Sequence, residues 1–241
     1  MPNQAAIRTV IYAGSAALPE TVRPAPDVPS VPLGIWGHPD KNLLYVGFVN
    51  CNELGVFEYD VDKILAAEPP DPNKPEATET GNPEVFKFLG AVPNSGQDIC
   101  WIRVNKQGTR LYAVNNLPRK EEKDRESTVT VFDISGDNAR KPVEIGRAQV
   151  PLPGKPFVNN RNAMQSGSTS FQLDMDPSGK TLYVIKQRID QTPANLDRRG
   201  NMLHMFEIDD NGMIKVVGGR PLKDDGVHFD SRPQGIVTFD R

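Results

Sequence analysis

Three times along this chain a turn leads into a strand centred on Leu-Tyr, and a second strand ending in Phe beside an acid follows. The copies are His38-Pro-Asp-Lys-Asn-Leu-Leu-Tyr-Val46 with Gly55-Val-Phe-Glu-Tyr-Asp60, Asn105-Lys-Gln-Gly-Thr-Arg-Leu-Tyr-Ala113 with Thr128-Val-Thr-Val-Phe-Asp133, and Asp176-Pro-Ser-Gly-Lys-Thr-Leu-Tyr-Val184 with Met202-Leu-His-Met-Phe-Glu207. Such repetition confines the chain to blades of a β-propeller or turns of a solenoid. One sheet cannot bury both of its own faces and must stack on a copy of itself.

The repeated tyrosines Tyr45, Tyr112 and Tyr183 stand 67 and 71 residues apart, longer than the ~40 to 50 of compact propeller repeats. Each unit resolves into four short alternating stretches bounded by turn residues, the content of one blade. The first unit predicts strands over 33–37, 43–49, 54–60 and 85–92, the second over 99–104, 110–115, 128–134 and 143–150, and the third over 171–175, 181–186, 202–208 and 214–221. Residues 235–241, Gly-Ile-Val-Thr-Phe-Asp-Arg, match the first strand of a fourth unit, and residues 6–12 match the last strand of a preceding one. The expected organisation is an N-terminal strand and Pro-rich linker over 1–31, then all-β propeller blades over 32–93, 98–150 and 171–221, with a partial blade at 235–241. Closed propellers carry about four to eight blades. About three and a half therefore imply two chains sharing a ring, a larger propeller, or a tight four-bladed ring, because an open stack leaves bare edges and apolar faces.

Composition removes several classes of function. A net charge of −3 and a pI near 5.7 provide no electrostatic footprint for nucleic acid. No apolar run approaches the ~20 residues of a spanning helix, so no membrane partner is expected. The N-terminus lacks the charged start and apolar core of a secretory signal, and the chain taken as complete reads as cytoplasmic. Cys51 and Cys100 are too few for a disulfide framework and lack metal-ligand spacing. Two inert thiols are the simplest reading, with a single bridge as the alternative.

Insertions lengthen the blades. Residues 66–83 are rich in Pro, Glu and Thr, a composition too poor in apolar surface to order itself. Residues 119–126, R-K-E-E-K-D-R-E, read as a solvated hairpin tip, and residues 187–201 carry Arg188, Asp190, Arg198 and Arg199, which suit contact with a ligand. Linear catalytic motifs fail. Gly179-Lys180-Thr181 ends like a phosphate loop but has Asp174 where a glycine is needed, and the calcium-loop spacing from Asp174 meets Ile185 where a bidentate glutamate belongs. There is no G-x-S-x-G elbow, and His38, His204 and His228 are too scattered for a local zinc motif.

A propeller assembles its site from several blades. Inter-blade links and the loops joining second to third strands share one rim of the channel, which collects Asn50, Glu53, Gln97, Asp98, Asn115, Asn116, Asn159, Asn160, Arg161, Asn162, Arg188, Asp190, His228, Arg232 and Gln234. Their amide and guanidinium donors suit a carboxylate, a phosphate or a developing oxyanion. Asn50, Asn115 and Asn116 also suit plain turn closure, His38 reads as a structural turn residue, and His204 as a packed strand residue. His228 lies in a link beside Asp224, Asp225, Asp230 and Arg232, surroundings that fit an acid–base role.

The forms Arg232-Pro-Gln-Gly-Ile-Val-Thr-Phe-Asp240 and Leu173-Asp-Met-Asp-Pro-Ser-Gly-Lys-Thr-Leu-Tyr-Val184 resemble the lactonase-like, YVTN-type β-propellers, a superfamily that includes 6-phosphogluconolactonase. The resemblance runs over most of residues 32–241. It implies a propeller, usually of about seven blades, and a lactone hydrolase or cycloisomerase of an anionic sugar acid or carboxylate that needs no metal or other cofactor. On that reading His228 or Glu53 is the general base on water, while Arg161, Arg188, Arg232, Gln234 and Asn160 hold the anionic substrate and its oxyanion. The alternative is a non-catalytic scaffold that binds a protein or ligand through its rim and long loops, or a subunit whose missing blades come from a second chain.

Overall fold

In a computed structural model the described residues are 31–66, 85–117, 127–151, 157–158, 164–165, 168–188, 201–228 and 231–239. The first sheet is formed by β1 (Pro32–Gly37), β2 (Leu43–Phe48), β3 (Glu53–Tyr59) and β4 (Phe86–Pro93), with a short helix α1 (Val61–Ala66) entering the connection before β4. The second comprises β5 (Gln97–Val104), β6 (Arg110–Leu117), β7 (Thr128–Asp133) and β8 (Val143–Gln149). After a two-stranded pair, β9 (Phe157–Val158) with β10 (Met164–Gln165), the third comprises β11 (Ser168–Met175), β12 (Thr181–Arg188), β13 (Met202–Ile208) and β14 (Ile214–Pro221). Each four-stranded sheet is an antiparallel meander in chain order, the pattern of a propeller blade.

The expected strands fall within a few residues of those observed. Helix α1 and the β9–β10 pair are not foreseen; α1 opens the 66–83 insertion, with Asp60 Oδ1 accepting from the Lys63 N–H at 3.1 Å. The three first strands lie side by side, β5 packed against β1 on one side and β11 on the other. Each carries a register shift at the same place, 32–35 in β1, 99–102 in β5 and 170–173 in β11, a local increase in twist that re-aims the strand.

Side-chain alternation on the strands builds two inter-blade cores. Tyr45, Leu54 and Val56 of the first blade meet Ile99, Ile102, Leu111, Ala113 and Phe132 of the second. Tyr112, Val114, Val129 and Val131 of the second meet Leu173, Leu182, Val184 and Phe206 of the third. The repeated tyrosine has one job in both. Tyr45 Oη donates to the Ala139 carbonyl of the next blade at 3.0 Å, and Tyr112 Oη donates to the Gly212 carbonyl of the next at 3.0 Å. His38 likewise ties blades together, its Nε2 standing 3.1 Å from the Gly108 carbonyl oxygen.

Residues 231–239 differ from the sequence expectation. They lie along β11 where a fourth first strand belongs, yet form no strand ladder. Side chains of β11 accept their backbone N–H groups instead, Gln172 Oε1 from Ile236 at 2.7 Å and Asp174 Oδ2 from Thr238 at 2.6 Å. Cys51 and Cys100 are free thiols. Residues 6–12, the Pro-rich linker and most of the three insertions lie outside the described residues. Among the described residues no helix is long and apolar enough to cross a membrane.

Candidate functional site

The rim at the start of the first strands is built on backbone that leaves ordinary φ space. Asn52 closes the turn between β2 and β3 at φ 54°, and Asp98 opens β5 at φ 59°. Asn and Asp tolerate this left-handed region better than other side-chain-bearing residues. The two positions are joined, with Asn52 Oδ1 accepting from the Asp98 N–H at 2.6 Å. Burial pushes the Asp98 carboxyl up from its ordinary value. The neighbouring Cys100 thiol is pushed to about 12 by burial and then by Asp98, which makes it a packed group and not a nucleophile.

Glu53 is the first residue of β3, opposite Phe48 and Pro93. Its Oε2 is buried and has no hydrogen-bonding partner, and burial raises its pKa. Alternation sets it on the face of the first blade that carries Phe48 and Phe57, turned away from the second blade. Asn115 proves to be an interior strand residue rather than a turn closer. It accepts from Asn94 Nδ2 at 2.7 Å and donates to Thr128 and Thr130 Oγ1, both at 2.9 Å. The Oδ1 atoms of Asn94 and Asn116 are buried without partners. This rim therefore gathers oxygen acceptors that lack donors.

His228 is exposed beyond the third blade, after the turn Leu222–Asp225, with its carbonyl accepting from Ser231 N–H at 2.9 Å. Arg232 and Gln234 follow on the exposed segment beside β11. Arg188 ends β12 opposite Ser168, and Asn160 and Arg161 lie outside the described residues. His228, Arg232 and Gln234 thus share one segment at the end of the third blade. Glu53 belongs to the first blade, and the second blade lies between.

Sequence reading passed over Lys186. It falls on the apolar side of β12, two residues after Val184, and is fully buried. Its ammonium donates to the carbonyls of Val150 and Pro151 at 2.9 and 3.2 Å, holding the start of the link that contains 159–162. A lysine continuing the alternation of Leu182 and Val184 was the available signal. His204, on the same face, is buried with Nε2 unpartnered. It is lowered to about 4 by burial and by Lys186, in keeping with a packed neutral imidazole.

At the opposite end, a cleft of about 920 Å³ opens between the second and third blades, lined by Asn105, Gln107, Lys180, Glu207 and Asp210 among others. Its fixed groups are already engaged: Arg110 with Asp133 at 2.7 Å and with the Asn211 carbonyl at 2.9 Å. Among the described residues no three His, Cys, Asp or Glu side chains converge in a metal-binding group.

No known protein-family profile matches the chain, and no curated protein sequence matches it. Solved structures do. The periplasmic gluconolactonase PpgL of Pseudomonas aeruginosa superposes with a TM-score of 0.51 at 16% identity, over 80% of this chain and 42% of that one. The hydrazine synthase of Kuenenia stuttgartiensis superposes with a TM-score of 0.50 at 17% identity, over 85% of this chain and 46% of that one. A candidate 6-phosphogluconolactonase of Bacteroides fragilis is found at a TM-score of 0.48 and 16% identity, over 80% of this chain and 42% of that one. The chain spans less than half the length of each. At these identities the likeness is one of fold: the chain is a run of β-propeller blades, and its structural neighbours include lactonase-like propellers.

Proposed function

We propose that the first-strand rim is a small-molecule site and that its chemistry is metal-independent hydrolysis of the lactone of an anionic sugar acid or carboxylate. The observation that carries this is Glu53, whose buried, unpartnered Oε2 and raised pKa suit a general base better than an ordinary solvated carboxylate. Water attacks the acyl carbon as Glu53, or His228 in its place, takes its proton; the ring C–O bond breaks, and the same group returns the proton to the leaving oxygen. Arg161, Arg188, Arg232, Asn160 and Gln234 supply donors for the substrate carboxylate and the oxyanion. The fold shared with PpgL, a gluconolactonase, supports the choice of ester to test.

The experiment is a panel of aldonolactones and phosphorylated aldonolactones, followed by pH-stat titration. Turnover that falls about 10²-fold in Glu53→Gln supports the base assignment, and loss of turnover in His228→Ala with Arg232→Ala, at an unchanged β-type circular dichroism spectrum, supports the rest. A folded protein that turns over no lactone ends the enzymatic reading. The non-catalytic scaffold then stands, favoured by the exposed apolar residues Val237 and Phe239, at 74% and 71% exposure beside the rim segment, which suit recognition of a protein.

A further inference from the structure

The residue just ahead of the register shift in a first strand is Asp98 in the second blade and Thr169 in the third, each one place before the paired residues Ile99 and Ser170. At both junctions the residue ahead of the previous blade's third strand grips the incoming strand. Asn52 Oδ1 accepts from the Asp98 N–H at 2.6 Å, and Ser127 Oγ accepts from the Ser170 N–H at 3.2 Å. Thr169 takes its place without left-handed backbone, its hydroxyl donating to the Asn116 carbonyl at 2.6 Å. Asp98 takes the equivalent place at φ 59°. Blade stacking does not by itself require left-handed backbone at this position, and strain that the fold does not need points to a site.

The side chain at this strained position is uncommitted. Among the described residues the Asp98 carboxyl has no hydrogen-bond or ion-pair partner. The residue is half-buried, and burial raises its pKa. Glu53 Oε2 is sealed from solvent, whereas both Asp98 oxygens keep access to it. Asn116 stands opposite Asp98 in the β5–β6 register, between the pairs Gln97–Leu117 and Ile99–Asn115, and its Oδ1 is buried without a donor. What completes this set must bring hydrogen-bond donors. A carboxylate accepts through two oxygens at once and so fits two neighbouring hydroxyl groups. With no further acids converging among the described residues, one carboxylate beside one amide oxygen suits neutral donors.

We infer that Asp98 is a specificity-determining residue of the rim site, its carboxylate accepting hydrogen bonds from two neighbouring hydroxyl groups of the lactone ring. The inference rests on the lactone reading for its substrate and selects polyhydroxylated rings over bare ones. An analogue without the hydroxyls leaves the desolvated acceptors unpaired, and a site built on such acceptors rejects it.

The test is calorimetric titration of the full chain with two hydrolysis-resistant neutral probes, gluconolactam and δ-valerolactam, the latter the same ring without hydroxyls. The parent is expected to bind gluconolactam at least about tenfold more tightly, and Asp98→Gly to bring the two within about twofold. Asp98→Asn keeps a residue that tolerates left-handed backbone but loses the charge, and should fall between. Glycine relieves the strain, so Asp98→Gly should melt no lower than the parent. A parent that does not distinguish the probes, a preference that survives Asp98→Gly, or an Asp98→Gly chain that loses the preference only with a fall in melting temperature would each overturn the assignment. Lactone turnover on the same protein keeps the two readings apart. Turnover with a preference that survives Asp98→Gly removes Asp98 alone. A preference that Asp98→Gly abolishes in a protein without turnover removes hydrolysis alone and leaves Asp98 as a reader of hydroxyl groups.

Discussion

Arg103 Nε stands 2.9 Å from Asp174 Oδ1, linking the first strands of the second and third blades. The same guanidinium lies over the Trp36 ring of the first blade, 3.9 Å from its centroid. Asp174 in turn accepts from Thr238. Trp36, Arg103 and Asp174 face Tyr45, Tyr112 and Tyr183 across their hairpins, so one repeat position runs as a ladder through all three blades. Burial lowers the Arg103 pKa while Asp174 opposes the shift; the group stays charged and depends on its partner.

Asp174→Ala is therefore expected to destabilise the chain by about 3 kcal/mol, because it leaves Arg103 without its counter-ion and strips the anchor of residues 231–239. Arg103→Met should cost less, since the apolar side chain keeps the stack on Trp36. Urea unfolding of both singles and the double measures the coupling; strict additivity would show that the ladder is not an energetic unit.

Tyr45→Phe and Tyr112→Phe should each cost about 1 kcal/mol, the value of a buried hydrogen bond whose carbonyl acceptor is then stranded. Tyr183→Phe should be close to neutral, because the Tyr183 hydroxyl has no acceptor among the described residues. Equal losses at all three positions in thermal melts would contradict the inter-blade role assigned to the first two.

Acid should weaken the interface between the second and third blades. An unfolded histidine takes its proton near 6.5, whereas folded His204 takes it only near 4. Its contribution is complete above about pH 6.5 and is lost progressively as pH falls to about 4, a change of roughly 3 kcal/mol. Denaturant midpoints between pH 7 and 4 should fall steeply in the parent and less in His204→Gln. Parallel slopes would assign the acid sensitivity elsewhere.

Gly34→Ala should be among the costlier single-methyl changes. A Cβ there runs into the Cys100 carbonyl oxygen and stands 2.9 Å from Trp101 Cα, and backbone cannot step aside as a side chain can. A loss of about 1 to 3 kcal/mol is expected, read by chemical denaturation. Gly37→Ala, whose nearest neighbour is the Leu44 side chain at 3.8 Å, serves as the tolerant control.

Alternating apolar residues, turn signals and the repeated Leu-Tyr strand determine by themselves that this chain forms four-stranded blades. Those are local properties, and the observed strands follow them closely. The pattern also marks Tyr45, Tyr112 and Tyr183 as equivalent, but not that two of them reach a carbonyl about a hundred residues downstream and the third does not. Partnering of that kind belongs to the stacking of sheets. Glu53 and Asp98 are legible as rim residues from their place between strands, while their raised proton affinity is not, because desolvation depends on what surrounds them. Lys186 and His204 look like interruptions of an apolar face until the second and third blades close over them. Residues 235–239 carry the alternation of a first strand, yet Gln172 and Asp174 hold them without a ladder. A strand's pattern is written along one chain, and its pairing needs a neighbour that only the tertiary structure can supply.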